Sequence, residues 1–284
     1  MTGPGRSARP EGGEAASLRI TMLGCGGSLG VPLVGGSWGS VDPNHPRNRR
    51  RRPSILVEGA GQCVLVDTSP DCRAQLLDAA VTHIDAIVFT HAHADHLHGI
   101  DDIRPFMFDR TALIPAYADR ETMAHLEARF GYMLNTVDMD RGIYRPLLEP
   151  HLIEGSFAIG DLEIVPFEQE HGPVRSLGLR FGPFAYSTDV SFLDEHAFAL
   201  LEGVDTWIVD AARHKPHPSH AHLTLTLEWI ARVRPRRAIL THMNHEMDYA
   251  DLLATLPAGV EPGYDGMVIE LPARSDALAG ATAR

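Results

Sequence analysis

FTHAHADHLHG, residues 89–99, places His91, His93, Asp95, His96 and His98 within eight consecutive positions. The run stands directly behind IDAIVFT (84–90), which reads as a short, buried strand. Neutral imidazole and carboxylate are ligands for zinc, manganese and iron. Residues i and i+2 at the end of an extended segment point the same way, so His91 and His93 can share one metal. Asp95 and His96 fall where the chain turns into a helix and can serve a second. A solvated loop that is merely rich in histidine is the plain alternative.

That alternative leaves three further polar residues unexplained, each at a strand end. His171 closes LEIVPFEQEH, Asp189 closes FAYSTD, and His242 closes AILTH. Taken singly, each reads as a capping or hydrogen-bonded polar residue. Together with the first cluster they complete a dinuclear site. Metal one takes His91, His93 and His171. Metal two takes Asp95, His96 and His242. Asp189 bridges both, since a carboxylate has two oxygens.

Working outward, LRITMLG (18–24) reads as a strand, and SILVEGAGQCVLVD (54–67) as a hairpin with a Gly-containing turn. CRAQLLDAAV (72–81) and RETMAHLEARFGYML (120–134) have helical periodicity. FAIGDLEIVPFEQEH, SLGLRFGPFAYSTD, TWIVDA and AILTHM read as strands, with helices interleaved around 192–203 and 223–233; GMVIELP (266–272) is a late strand. Early hairpins followed by alternating strands and helices imply an α/β fold with mixed sheets covered by helices. No linker is evident after residue 17. The expectation is a disordered tail over 1–17 and one domain over 18–284.

The chain has 284 residues, 44% hydrophobic and 22% charged, with a formal charge of −12. That balance argues against a general binder of nucleic acid polymers. No run approaches the eighteen or so apolar residues of a membrane span, and the N-terminus lacks the apolar core of a signal peptide. The cytoplasm is the expected location. Cys25, Cys63 and Cys72 have no zinc-finger spacing and make no disulfide framework.

HAHADH, then a lone histidine, then S-T-D, then L-T-H, resembles the metallo-β-lactamase superfamily over roughly residues 18–272. The finer resemblance is to its PhnP-like branch, the phosphoribosyl cyclic phosphate phosphodiesterases. It is carried by GCGGSLGVP (24–32), NRRRRPS (48–54), PHPSHAHL (216–223) with AILTHMNH (238–245), and GYDGMVIEL (263–271). The resemblance implies an αββα sandwich, two mixed β-sheets flanked by helices, with the metals at one edge. It also implies two divalent cations, Zn²⁺ or Mn²⁺, and hydrolysis of a small cyclic or nucleotide-like phosphodiester by a metal-bridging hydroxide. Such pairs stand roughly 3.5–4 Å apart and lower the pKa of bound water to about 7.

His220 matches the family's proposed catalytic histidine and is expected to protonate the leaving group; Asp95 is counted with it among the catalytic residues. His222 is a weaker candidate. Asp67, closing CVLVD, is expected to support the metal loop by hydrogen bonding. His98, His214 and His217 are either supporting or merely exposed. Of RNRRRR (47–52), Arg52 is the best candidate for a structural or substrate role. The glycines of GCGGSLG could bring backbone N–H groups near a phosphate.

Some PhnP-like proteins carry a structural zinc held by cysteines, but VGGSWGSVDPNHPRN (34–48) has none. His45, His245 and Asp42 would make only a poor substitute, so no such zinc is expected. The expected partner is a small phosphodiester, with no nucleic acid polymer and no membrane; a homodimer is a possible assembly. Competing readings are a thioester, lactone or β-lactam hydrolase on the same site, transfer RNA 3′-end processing, and a metal-bound nucleotide-binding module without turnover.

Overall fold

The computed structural model describes residues 17–108, 110–134 and 146–272. The expected tail, apart from Ser17, lies outside these residues. The first sheet begins with β1 (Leu18–Gly24), β2 (Ser54–Gly59) and β3 (Gln62–Val66), an antiparallel meander. It continues in parallel through β4 (Ala86–Val88), β5 (Ile114–Ala118) and β6 (Leu148–Leu152). The second sheet runs β7 (Phe157–Ile159), β8 (Leu162–His171), β9 (Val174–Phe181), β10 (Phe184–Ser187), β11 (Thr206–Asp210), β12 (Arg237–Thr241) and β13 (Val260–Pro262). The last strand, β14 (Val268–Leu271), returns to the first sheet beside β1.

Alternation along the strands creates the two faces of the first sheet. Ile20, Met22, Val57, Val64 and Val66 point inward and meet Leu179, Phe181, Tyr186, Ile208 and Leu240 of the second sheet in one buried core. Their neighbours Leu23, Leu56, Leu65 and Ile87 point outward into a second core. That core is closed by α1 (Cys72–Asp78), α2 (Ala94–Leu97) and α3 (Arg120–Phe130), through Leu76, Leu97, Met123 and Leu126. Each such side chain fully removed from water contributes roughly 1.5–3 kcal/mol. On the second sheet lie α4 (Glu195–Leu201), α5 (Leu223–Val233) and α6 (Tyr249–Thr255). Helices therefore cover the outside of two packed mixed sheets, as the strand and helix order implies.

Local chemistry fixes several boundaries. Asp119 and Asp194 accept hydrogen bonds from the Thr122 and Ala197 amides, 2.7 Å each, and start α3 and α4. The periodic helix expected over 72–81 ends at Asp78, because Ala80 adopts a left-handed φ of 52°. Three strands escape the sequence pattern: β5, β6 and β13. Each contains a proline (Pro115, Pro150, Pro262), which removes a ladder donor and masks the strand signal. β6 and β13 are edge strands, where that loss is tolerated. Among the described residues no helix is long and apolar enough to cross a membrane.

Candidate metal centre

β10, β11 and β12 are mutually parallel, and β8 runs the same way because β9 is antiparallel to both β8 and β10. Their C-terminal ends therefore share one edge of the second sheet and deliver His171, Asp189, Asp210 and His242 to it. From the first sheet, the turn between β4 and α2 brings His91 and His93, and α2 brings Asp95 and His96. Asp67, Asp189 and His242 have φ of 62°, 49° and 58°, a conformation that costs a non-glycine residue free energy. Three of the few strained side-chain-bearing residues thus sit at the strand ends that build the site.

Two groups of side chains converge there. His91, His93, His171 and Asp189 offer ligand atoms within 4.8 Å of one another, and so do Asp95, His96, Asp189 and His242. Asp189 belongs to both. Its Oδ2 lies 3.8 Å from His91 Nε2 and 3.5 Å from His171 Nε2. Its Oδ1 lies 3.1 Å from His96 Nε2 and 3.3 Å from His242 Nε2. Asp95 Oδ2 adds contacts of 3.5 Å to His96 and 3.6 Å to His242. This is the division of the seven residues that the sequence pattern suggests.

The donor set fits divalent cations. His91 Nε2, His96 Nε2, Asp95 Oδ2 and both ring nitrogens of His242 are buried and have no hydrogen-bond partner. A buried polar atom left unpaired costs about 1–3 kcal/mol. Several such atoms aimed at two shared points are what a pair of cations would satisfy. The electrostatics divide the site. Burial, with neighbouring imidazoles, holds His91 well below its ordinary pKa and also lowers His93 and His171, so these three favour the neutral, ligating form. For His242 burial acts downward, but Asp189, Asp95 and Asp210 outweigh it and push the ring up to about 9. Burial likewise opposes ionisation of Asp189, yet His242, His96 and His91 hold it well below the usual carboxylate range.

A second layer orients these groups. Asp67, fully buried, accepts from the Thr90 amide and hydroxyl at 2.8 Å each and meets His96 Nδ1 at 2.6 Å. The Nδ1 proton of His96 is thereby held and Nε2 is freed for the centre. His171 Nδ1 lies 2.5 Å from the Ser219 carbonyl, which does the same for His171. Gly27 packs its Cα against His242, and a Cβ there would come within 3.3 Å of the His242 carbonyl. The glycine-rich stretch thus supports the metal loop by close approach, and the Gly27 amide donates to the Met243 carbonyl.

His220 lies beside both groups. Its ring stacks on His242 at 4.6 Å and meets His171 edge-on at 4.7 Å. Its Nδ1 is 3.0 Å from Asp210 Oδ2. Asp210, His220 and His242 form a third group with ligand atoms within 4.8 Å. Asp210 is the residue the sequence reading missed. It closes TWIVD as Asp189 closes the S-T-D stretch, and the same strand-end criterion finds it. His217 is near, with its ring 5.5 Å from His220. His222 occupies the N-cap of α5 without capping it through its side chain. His98 packs on Phe130 instead, and His214 is exposed.

The arginine stretch has a structural explanation. Arg50, not Arg52, is its buried member and donates to the carbonyls of Asn244 (3.1 Å) and Met247 (2.6 Å) and to Asn48. Arg52 pairs with Asp71 at 3.1 Å, and Arg47 lies over Tyr264. His45 stacks on Tyr249, Asp42 accepts from Asn44, and His245 packs against Gly39. Among the described residues these three are not gathered into a ligand group.

A family model described as a beta-lactamase superfamily domain matches residues 62–243. A crystal structure described as a new diphosphatase from the PhnP family superposes with a TM-score of 0.81 and 34% identity, covering 90% of this chain and 97% of that one. The Octanoyltransferase of Porphyromonas gingivalis is 29% identical over 255 residues, and this chain spans only 51% of its length. The Ribonuclease Z of Methanopyrus kandleri is 27% identical over 139 residues, covering 48% of this chain and 45% of that protein. The chain belongs to the beta-lactamase superfamily, on its PhnP-like branch, and has the metallo-β-lactamase fold, with clustered histidines and aspartates that suit divalent metal ions.

Proposed function

We propose that the chain is a dinuclear metal-dependent phosphodiesterase acting on a small cyclic or nucleotide-like phosphodiester. The observation that supports it best is the pair of four-residue groups sharing Asp189, with His220 set beside both. In this reading His91, His93 and His171 would hold one cation and Asp95, His96 and His242 the other, with Asp189 available to both. Two divalent cations there supply Lewis acidity and a nucleophile from water at neutral pH. The side chains do the rest. Asp67 and the Ser219 carbonyl fix the ring orientations of His96 and His171. Water adds at phosphorus, one P–O ester bond breaks, and His220 gives the leaving alkoxide its proton. Asp210 keeps the His220 ring in the orientation that permits this.

The PhnP-family diphosphatase supports a small phosphorylated substrate. The Ribonuclease Z match is shorter, and the formal charge of −12 disfavours a long RNA. Initial rates on bis(p-nitrophenyl) phosphate, with Zn²⁺ or Mn²⁺ and p-nitrophenyl acetate as control, test the reading. Metal-dependent diester cleavage is the expected result. Strong esterase activity without diester cleavage would move the assignment to an acyl substrate, the chemistry that the octanoyltransferase relative names.

A further inference from the structure

The ladder between β9 and β10 ends at the pair Leu179 and Tyr186. Past that pair, β9 takes up other partners. The Leu177 amide crosses to the first-sheet side of the site and donates to the Thr90 carbonyl at 2.9 Å. Thr90 stands directly before His91, and its own amide and hydroxyl are held by Asp67. Ser176, next along β9, donates its hydroxyl to the Asp189 carbonyl at 2.7 Å. Two adjacent residues of β9 therefore tie the turn that carries His91 and His93 to the strand end that carries Asp189.

Asp189 has need of such a tie. Its φ of 49° costs free energy and persists only where the surroundings over-determine the backbone. The Thr188 carbonyl accepts from Gln169 Nε2 at 3.0 Å, and the Asp189 carbonyl accepts from Ser176. The Val190 amide donates to Asp210 Oδ2 at 3.1 Å, and the Val190 carbonyl accepts from the Ala221 amide at 2.5 Å. Gln169 Nε2 also donates to Ser176 Oγ at 3.1 Å. A serine hydroxyl has one proton, so this bond leaves that proton aimed at the Asp189 carbonyl. Gln169 and Ser176 are both buried. Gln169 Oε1 is buried with no partner among the described residues, a cost that an apolar residue of similar size would avoid. The amide is present in spite of that cost, and both bonds of its nitrogen serve the Thr188–Asp189 step.

We propose that Ser176 and Gln169 are positioning residues that set where the Asp189 carboxylate stands relative to the His91–His93 turn. The proposal rests on the metal-centre part of the phosphodiesterase reading, and its test does not require turnover. Zinc affinity of the full chain is measured by competition with a chelating dye, and the melting temperature of the metal-free chain is measured beside it. Ser176→Ala weakens zinc binding by about tenfold or more, the range of groups that orient metal ligands. Gln169→Leu, which keeps the bulk and removes the donor, weakens it in the same direction. Ser176→Thr keeps the hydroxyl and so keeps zinc affinity near that of the wild type, even where its added methyl lowers the melting temperature. Thr206→Val is the control. It removes a hydroxyl bonded to Asp205 at the far end of β11, so it changes stability and leaves zinc affinity alone. Zinc affinity that simply follows melting temperature through all four variants overturns the proposal, because the two side chains then do no more than support the fold. Unchanged affinity in both Ser176→Ala and Gln169→Leu overturns it as well. If the wild type binds no zinc, the metal centre and the proposal fall together. If the variants behave as expected but bis(p-nitrophenyl) phosphate is not cleaved, the positioning role stands and the phosphodiesterase reading falls.

Discussion

Asp210 Oδ2 lies 3.0 Å from Nδ1 of His220, and the same oxygen accepts the Val190 amide at 3.1 Å. The carboxylate is fully buried and rooted in the end of β11, so it acts as a rigid stop for the imidazole. Nδ1 carries the proton that faces Asp210, which leaves Nε2 as the nitrogen free to exchange a proton. Asp210→Asn keeps the shape and removes the charge. We expect kcat on bis(p-nitrophenyl) phosphate to fall by about 10–100-fold with little change in KM. His220→Ala should lose more, about 10²–10⁴-fold. The double variant should be no worse than His220→Ala alone, because the two act as a unit. Additive losses in that cycle would show that Asp210 works independently of His220.

Asp67 touches no point where a cation would sit, yet it holds His96 Nδ1 at 2.6 Å and the Thr90 amide at 2.8 Å. Supporting carboxylates of this kind are worth about 10–100-fold in metal affinity. Asp67→Asn should therefore retain the fold by circular dichroism but require correspondingly more Zn²⁺ to reach half occupancy in a competition titration with a chelating dye. Asp189→Ala removes the residue common to both candidate ligand groups and should reduce the bound metal measured by mass spectrometry at both proposed positions. Unchanged metal content in Asp189→Ala would refute the bridging role. In the wild type, removing metal with a chelator should lower the melting temperature, and added Zn²⁺ should restore it, because ligand bound only to the folded state stabilises it.

The candidate site is legible in the sequence because its residues are polar groups placed where β-strands end, a position that composition and periodicity both mark. His171, Asp189 and His242 stand out against the apolar runs before them. Asp210 is less visible: it sits inside the strand pattern TWIVDA, followed by two alanines, and only the fold brings His220 to it. Arg50 was hidden by its neighbours. Five arginines in six positions look alike in sequence, and only burial against the carbonyls of residues 244 and 247 separates one from the rest. β5 and β6 were hidden by prolines, whose cost depends on which backbone donor faces a neighbouring strand, a property of register rather than of sequence.

Arg50 should matter for stability far more than its neighbours. Its guanidinium reaches two backbone carbonyls in the turn after His242 and the Asn48 oxygen, which also accepts from the Tyr249 amide. Deleting it leaves buried acceptors unpaired. Arg50→Ala should lower the unfolding free energy by about 3 kcal/mol in urea titration, and Arg50→Lys should recover little, having no fork to span the carbonyls. Arg49→Ala, on an exposed residue lying over Trp38, should change it by less than about 0.5 kcal/mol. Equal effects of Arg50→Ala and Arg49→Ala would contradict the assignment of Arg50 as the buried tie.

Asp265 gives the fold a pH dependence of its own. Burial pushes its carboxyl from 3.8 up to about 6, against the opposing hydrogen bonds from the Arg51 and Cys25 amides. The folded chain therefore holds a proton that the unfolded chain has released, over the window between those values. Stability from this group is complete below about pH 3.8 and declines as pH rises to about 6, after which it is level. The whole change amounts to at most about 3 kcal/mol. Asp265→Asn stays neutral throughout. Relative to wild type it should gain stability as the pH of the urea titration is raised from 4 to 7, even if the substitution has a constant cost in lost hydrogen bonding. A difference between the two proteins that stays flat across that range would mean that Asp265 is ionised in the folded chain at every pH tested, and that its three donors, the Arg51 amide and the Cys25 amide and thiol, outweigh its burial.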